Sequence, residues 1–158
     1  MTRVSMVVHN TYHTDPRVQR YAESLANAGV LVDVLCLRGD HGAVDRRQPN
    51  VRVVPIPLRR FANSIPGYAI EYVIGLAFFT VWLLVLFIKH GYDVVHVHNM
   101  PDFLVLSALI PRLLGAKVIL DIHDPMPELY SSKFESRRGQ ILQQFMRQQE
   151  RLSARCAD

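Results

Sequence analysis

The sequence predicts an α/β fold, a parallel sheet with helices on both faces, and two observations carry that prediction. Short β-branched runs alternate along the chain with segments of helical periodicity. Most of the runs are also apolar on both of their alternating faces, as strands sandwiched between two helical layers must be. A doubly wound, Rossmann-like sheet meets both conditions. The 158 residues suit one core-bearing domain. No internal repeat, low-complexity tract or long linker divides them.

The elements follow in order. Val4 to Val8 is an apolar run that ends at His9 and Asn10, giving a first strand and a polar loop. A helix is expected from Asp15, which can cap it, with Pro16 at its first position. Val18, Tyr21, Ala22, Leu25 and Ala26 repeat at helical spacing until Gly29 stops it. Val30 to Leu37 and Val51 to Ile56 are the second and third strands, separated by the polar loop 38–50. A long apolar helix follows Tyr68, and DVVHVHN over 93–99 is the fourth strand. Asn99 and Pro101 open a helix expected to run to Leu114, kinked by Pro111 and closed by Gly115. The stretch VILDIHDPMPELY, Val118 to Tyr130, begins as the fifth strand. From Glu135, Ile141, Leu142, Phe145, Met146 and Leu152 mark an amphipathic helix running nearly to the last residue.

A net charge of +4 suits an anionic partner, but charge alone does not choose among nucleic acid, a phosphorylated small molecule and an acidic lipid surface. Nucleic acid is disfavoured, because basic and aromatic residues are not interleaved and the arginines of 136–155 read as a solvated helix face. Cys36 and Cys156 lack metal or redox spacing, so a reducing compartment fits. The N-terminal apolar run is too short for a secretory signal, and a cytoplasmic location is expected.

Three strands end alike: VHN over 8–10, HVHN over 96–99 and DIHD over 121–124. Ligands of open parallel sheets sit at the carboxyl ends of strands, so His9 with Asn10, His98 with Asn99 and His123 with Asp124 are expected to share one crevice. Pro125 and Pro127 restrict the backbone behind His123 and Asp124, and Glu128 follows them. Each histidine also has a plain structural reading, hydrogen bonding to a neighbouring loop. His96 shares a strand face with His98 and is expected to lie deeper, as a packing residue.

The segments 15–37, 92–102 and 116–130 together resemble the N-terminal half of family 4 glycosyltransferases of the GT-B type. The likeness spans nearly the whole chain and rests on three motifs in order. It implies one half of a GT-B fold, with residues 1–158 as a single acceptor-side domain and a C-terminal nucleotide-sugar-binding domain absent. It further implies sugar transfer with retention, from a nucleotide-sugar donor to a sugar or lipid-linked acceptor, with no required metal or other cofactor. In that resemblance His123 is the catalytic candidate, the strand-end histidine that reaches the donor sugar. Asn99 and Asp102 match the polar loop facing the cleft. His9, Asn10, Arg17, His98, Asp124 and Glu128 complete the expected substrate-binding set. Where many members carry a Gly-Gly turn near the donor phosphates, this chain has NTYHTDPRV over 10–18. Arg17 is then either a phosphate contact or a solvated first-turn residue. Negligible transferase activity is expected of these residues alone, since half a cleft lacks the donor site.

Residues 72–88 contain no charge. As a helix of about 26 Å the run falls short of a bilayer core of about 30 Å, and spanning would cut the sheet apart. Its all-round apolar character leaves a surplus face expected to include some of Phe78, Phe79, Trp82 and Leu86. Burial against the chain or another subunit is one reading. The other is peripheral membrane contact through Tyr72 to Ile88, with Arg59, Arg60 and Lys89 near anionic headgroups. That second reading suits a lipid-linked acceptor and surface-polysaccharide or glycolipid synthesis. Two other functions compete: a non-catalytic binding half-protein, and a metal-dependent hydrolase prompted by His96, His98, Asp121, His123 and Asp124.

Overall fold

The computed structural model describes residues 1–39, 48–98, 101–122 and 137–158. They form one five-stranded, all-parallel sheet of order β3-β2-β1-β4-β5. The strands are β1 (Arg3–Val8), β2 (Leu31–Leu37), β3 (Val51–Ile56), β4 (Val94–His98) and β5 (Lys117–Asp121). The helices are α1 (Pro16–Asn27), α2 (Ile65–His90), α3 (Leu109–Leu113) and α4 (Arg137–Arg155). The expected Rossmann-like architecture is observed.

Side-chain alternation divides the core into two layers. Val4, Met6 and Val8 of β1 join Val32, Val34 and Cys36 of β2 beneath Val18 and Ala22 of α1. Val7, Leu35, Leu37, Val95, Val97 and Val118 point the other way, against Phe79 and Leu83 of α2 and Leu104, Val105 and Ala108. Phe79 and Leu83 are fully buried, each contributing about 1.5–3 kcal/mol through removal from water.

The predicted helix signals operate as chemistry. The Asp15 carboxylate accepts from the backbone N–H of Arg17 and Val18 at 3.2 and 3.3 Å, capping α1, and Gly29 closes it at φ +82°. Ser64 caps α2 by accepting from Gly67 N–H, four residues before the helix expected after Tyr68.

Beyond β4 the structure differs from expectation. Asp102–Ala108 is a 3₁₀ helix, and only Leu109–Leu113 is α-helical. The tighter winding matches the buried pattern: Leu104, Val105, Ser107 and Ala108 are all buried, and the Ser107 hydroxyl donates to the Leu104 carbonyl at 2.7 Å. Pro111 is the middle residue of the short helix Leu109–Leu113 and not a kink in a long one, and Gly115 follows it at φ +102°.

Helix α2 carries two faces of different chemistry. Phe79 and Leu83 face the sheet, and Phe78, Trp82 and Leu86 are partly buried against the same core. The outward face is Ile70, Val73, Ala77, Val81, Val85 and Ile88, all exposed, Val73 by 65% and Ile88 by 74%. The surplus face is therefore aliphatic and not the expected aromatic one, because the larger rings take the positions that fill space beside the sheet. Residues Pro66–His90 have a mean hydropathy of 2.2 in their most apolar window, yet only 22% of that window is buried.

The chain ends against β5. Asp158 N–H donates to the Val118 carbonyl and its carboxylate accepts from Val118 N–H, each at 2.8 Å. Arg112 donates to the carbonyls of Arg155 and Ala157, tying α4 to the end of α3.

Candidate functional site

The sheet order places a topological switch point between β1 and β4. From β1 the chain crosses through α1 on one face to β2, whereas β4 is reached through α2 on the opposite face. The connections diverge there, which opens a crevice beyond the carboxyl ends of β1 and β4. Asn10, the first turn of α1 and His98 lie at this edge.

Of the histidines expected in one crevice, His9 and His98 share the edge but not the face. His9 and Val7 occupy the same side of β1, so the His9 ring enters the α2 layer, 5.1 Å from the Tyr72 ring and 5.9 Å from Phe79. It is 2% exposed, and neither ring nitrogen meets a hydrogen-bond partner among the described residues. Burial, reinforced by the Arg60 guanidinium and only partly opposed by Glu71, lowers its pKa from 6.5 to about 4. His9 is thus a neutral core histidine in this structure. His98 projects to the α1 face, opposite His9. The residue count between each histidine and its strand's core positions decides this, because strand side chains alternate strictly.

On the α1 face, His96 and His98 stand two residues apart on β4. The parallel register sets His98 beside Asp121 of β5. His98 Nδ1 lies 3.3 Å from Asp121 Oδ2, and His96 Nε2 lies 3.8 Å from the same oxygen. Tyr21 of α1 roofs the pair, stacked on His98 at 5.9 Å and tilted against His96 at 5.7 Å. The expected depths are reversed: the His98 side chain is 2% exposed and that of His96 is 14% exposed, since the Tyr21 ring lies nearly parallel over His98. Tyr21 itself, counted with the apolar repeat of α1, is 43% exposed. Its part in the site was not legible from helical spacing.

The other expected residues divide by chemistry. Asn10 is half-buried and organises its own loop, with its side-chain oxygen accepting from Thr11 N–H at 2.9 Å and from the Thr14 hydroxyl at 3.2 Å. Arg17 keeps 43% side-chain exposure with Nε 3.7 Å from Asp15, so it is both solvated and placed at the edge. The Asp15 carboxylate already engages two N–H groups of the α1 N-terminus, leaving that end less suited than a glycine turn to cradle an anion by backbone alone. Asp102 is buried at the start of the 3₁₀ helix. Asn99, His123, Asp124 and Glu128, with Pro125 and Pro127, lie outside the described residues.

Two buried polar groups went unnoticed in the sequence. Glu71, 1% exposed, accepts from the N–H groups of Phe61 and Ala62, both at 2.8 Å, and so anchors the segment entering α2. Asp33, inside an apolar strand, accepts from Arg52 and from the Tyr92 hydroxyl at 2.6 Å. The only signal for either was an acidic residue in otherwise apolar surroundings.

A five-stranded parallel sheet with a switch-point crevice at its carboxyl edge defines a Rossmann-like domain. The chain belongs to the glycosyl transferase 4-like domain family, which it matches over residues 14–158. No curated protein matches it. Among solved structures it resembles sucrose-phosphate synthase from Thermosynechococcus elongatus, with TM-score 0.68, 14% identity, and coverage of 93% of this chain and 39% of that one. It also resembles a UGT from Glycyrrhiza uralensis complexed with glycyrrhetinic acid 3-O-monoglucuronide, with TM-score 0.54, 17% identity, and coverage of 85% of this chain and 33% of that one. A UGT from Siraitia grosvenorii in complex with UDP gives TM-score 0.52, 12% identity, and coverage of 84% and 26%. At such identities the likeness is one of fold, that of a GT-B glycosyltransferase domain. The chain spans well under half the length of each.

Proposed function

We propose that this chain is the acceptor-side half of a retaining glycosyltransferase that moves a sugar from a nucleotide-sugar donor to a sugar or lipid-linked acceptor. The observation that carries the reading is the family match over 14–158, seated on a sheet whose switch point opens between β1 and β4. His123, Asn99, Asp102, Asp124 and Glu128 follow or flank the ends of β4 and β5 in the sequence and are the residues assigned to the cleft. Their work is to orient the reacting groups and to stabilise positive charge developing at the anomeric carbon, which calls for placed dipoles more than for a strong base. Donor binding belongs to a second domain.

The aliphatic outer face of α2 supports a peripheral seat on the inner face of the cell membrane, with Arg59, Arg60 and Lys89 near its two ends. A lipid-linked acceptor in surface-polysaccharide or glycolipid synthesis fits that placement.

The test uses a full-length protein carrying this domain, a panel of nucleotide sugars, and assignment of the product anomer. Retention is expected, with His123→Ala lowering kcat by about 10²–10³-fold. The 158 residues alone are expected to turn over negligibly. Inversion of the anomer, or robust turnover by the isolated chain, overturns the reading.

A further inference from the structure

We infer that His96, His98 and Asp121 form a binding site for a divalent transition metal of the zinc class, clamping the carboxyl ends of β4 and β5 together. Their three ligand-type atoms lie within 4.8 Å of one another, a grouping of three found nowhere else among the described residues.

The geometry follows from the sheet. His96 and His98 share a face of β4 because they are two residues apart, and the parallel register brings Asp121 alongside His98 on that face. Two ligands bound to one zinc at about 2.0–2.2 Å and tetrahedral angles stand roughly 3.4 Å apart. The observed separations from Asp121 Oδ2 are 3.3 Å to His98 Nδ1 and 3.8 Å to His96 Nε2. The third separation, between the His96 and His98 nitrogens, is within 4.8 Å, so the three groups close on one ion by drawing together by about an ångström or less.

The donor set selects the metal. Two imidazoles and one carboxylate suit zinc, cobalt or nickel, whereas magnesium and calcium prefer oxygen throughout. One side of the cluster is dry, with His98 buried under Tyr21, and the other reaches solvent through the partly exposed His96 and Asp121. Among the described residues such a site supplies three protein ligands, the number that zinc completes with a fourth donor. Its task is mechanical: an ion bridging the two strands fixes the carboxyl ends of β4 and β5 relative to each other. This inference rests on three side chains and is independent of the transferase reading.

The experiment titrates the untagged, chelator-treated chain with zinc alone, by calorimetry and thermal unfolding. One zinc per chain is expected, with Tm raised by about 5–10 °C at roughly a hundredfold excess over Kd and no response to magnesium. His96→Gln and Asp121→Asn should each weaken binding by at least about tenfold, while His13→Gln, at an exposed site, should not. Should Asp121→Asn fail to fold, the partly exposed His96→Gln decides alone. Absence of saturable zinc binding, or binding unchanged in His96→Gln, overturns the site.

Discussion

His9 rests on Gly75: a Cβ built at position 75 would stand 2.7 Å from His9 Nε2 and 2.9 Å from Cδ2. Helix α2 therefore approaches the end of β1 more closely than any side chain at 75 permits. Gly75→Ala improves helix propensity by about 1 kcal/mol but forces a clash against a fully enclosed ring. The clash should win, with net destabilisation of about 1–2 kcal/mol in urea denaturation. A variant as stable as wild type would mean that the ring can move aside.

The same ring makes stability depend on pH. His9 is neutral when folded down to about pH 4, whereas in the unfolded chain it protonates near 6.5. Between those values the unfolded state binds the extra proton, so stability is complete above pH 6.5 and is lost as pH falls toward 4. The drop is worth about 3 kcal/mol. Melting curves from pH 7.5 to 4.5 should show this slope in wild type and a shallower one in His9→Leu. Parallel slopes would contradict it.

Asp33 serves both Arg52 and the buried Tyr92 hydroxyl, and burial, joined by the bond to Asp33, drives the Tyr92 pKa far above its usual value. Asp33→Ala strands that hydroxyl beneath the sheet edge and removes the partner of a half-exposed guanidinium. A loss of about 2–3 kcal/mol is expected. Asp33→Asn, which keeps an acceptor, should cost less. A loss below about 1 kcal/mol for the alanine variant would show that water replaces the carboxylate.

Val81 and Val85 stand one turn apart on the outer face of α2, exposed by 54% and 57%. Val81→Glu with Val85→Glu should abolish flotation with anionic vesicles while leaving stability within about 0.5 kcal/mol, because neither side chain supports the core. Equal flotation of variant and wild type, or none by either, would remove the membrane seat.

Much of the fold was readable because its signals are local. Asp15, Pro16 and Gly29 bracket α1 through backbone hydrogen bonding that depends on adjacent residues only. The β-branched runs placed all five strands to within a residue or so. The segment 102–113 was harder: its apolar spacing fits a helix, and the choice of 3₁₀ over α winding depends on packing against α2 and α4 that no local pattern encodes.

The candidate site divides in the same way. His98 and Asp121 could be seen as strand-end groups, but their contact depends on which strands are neighbours and in what register. Tyr21 gave no sign of its role, since helical periodicity reports a face and not what that face covers.

By itself the sequence determined the α/β class and the order of elements, because hydrophobic period and capping act over a few residues. Only the tertiary structure decided that His9 turns into the core while His98 meets Asp121 under Tyr21, and that α2 shows its aliphatic side outward. Those outcomes depend on strand order, alternation and the space left between layers, which are properties of the packed chain.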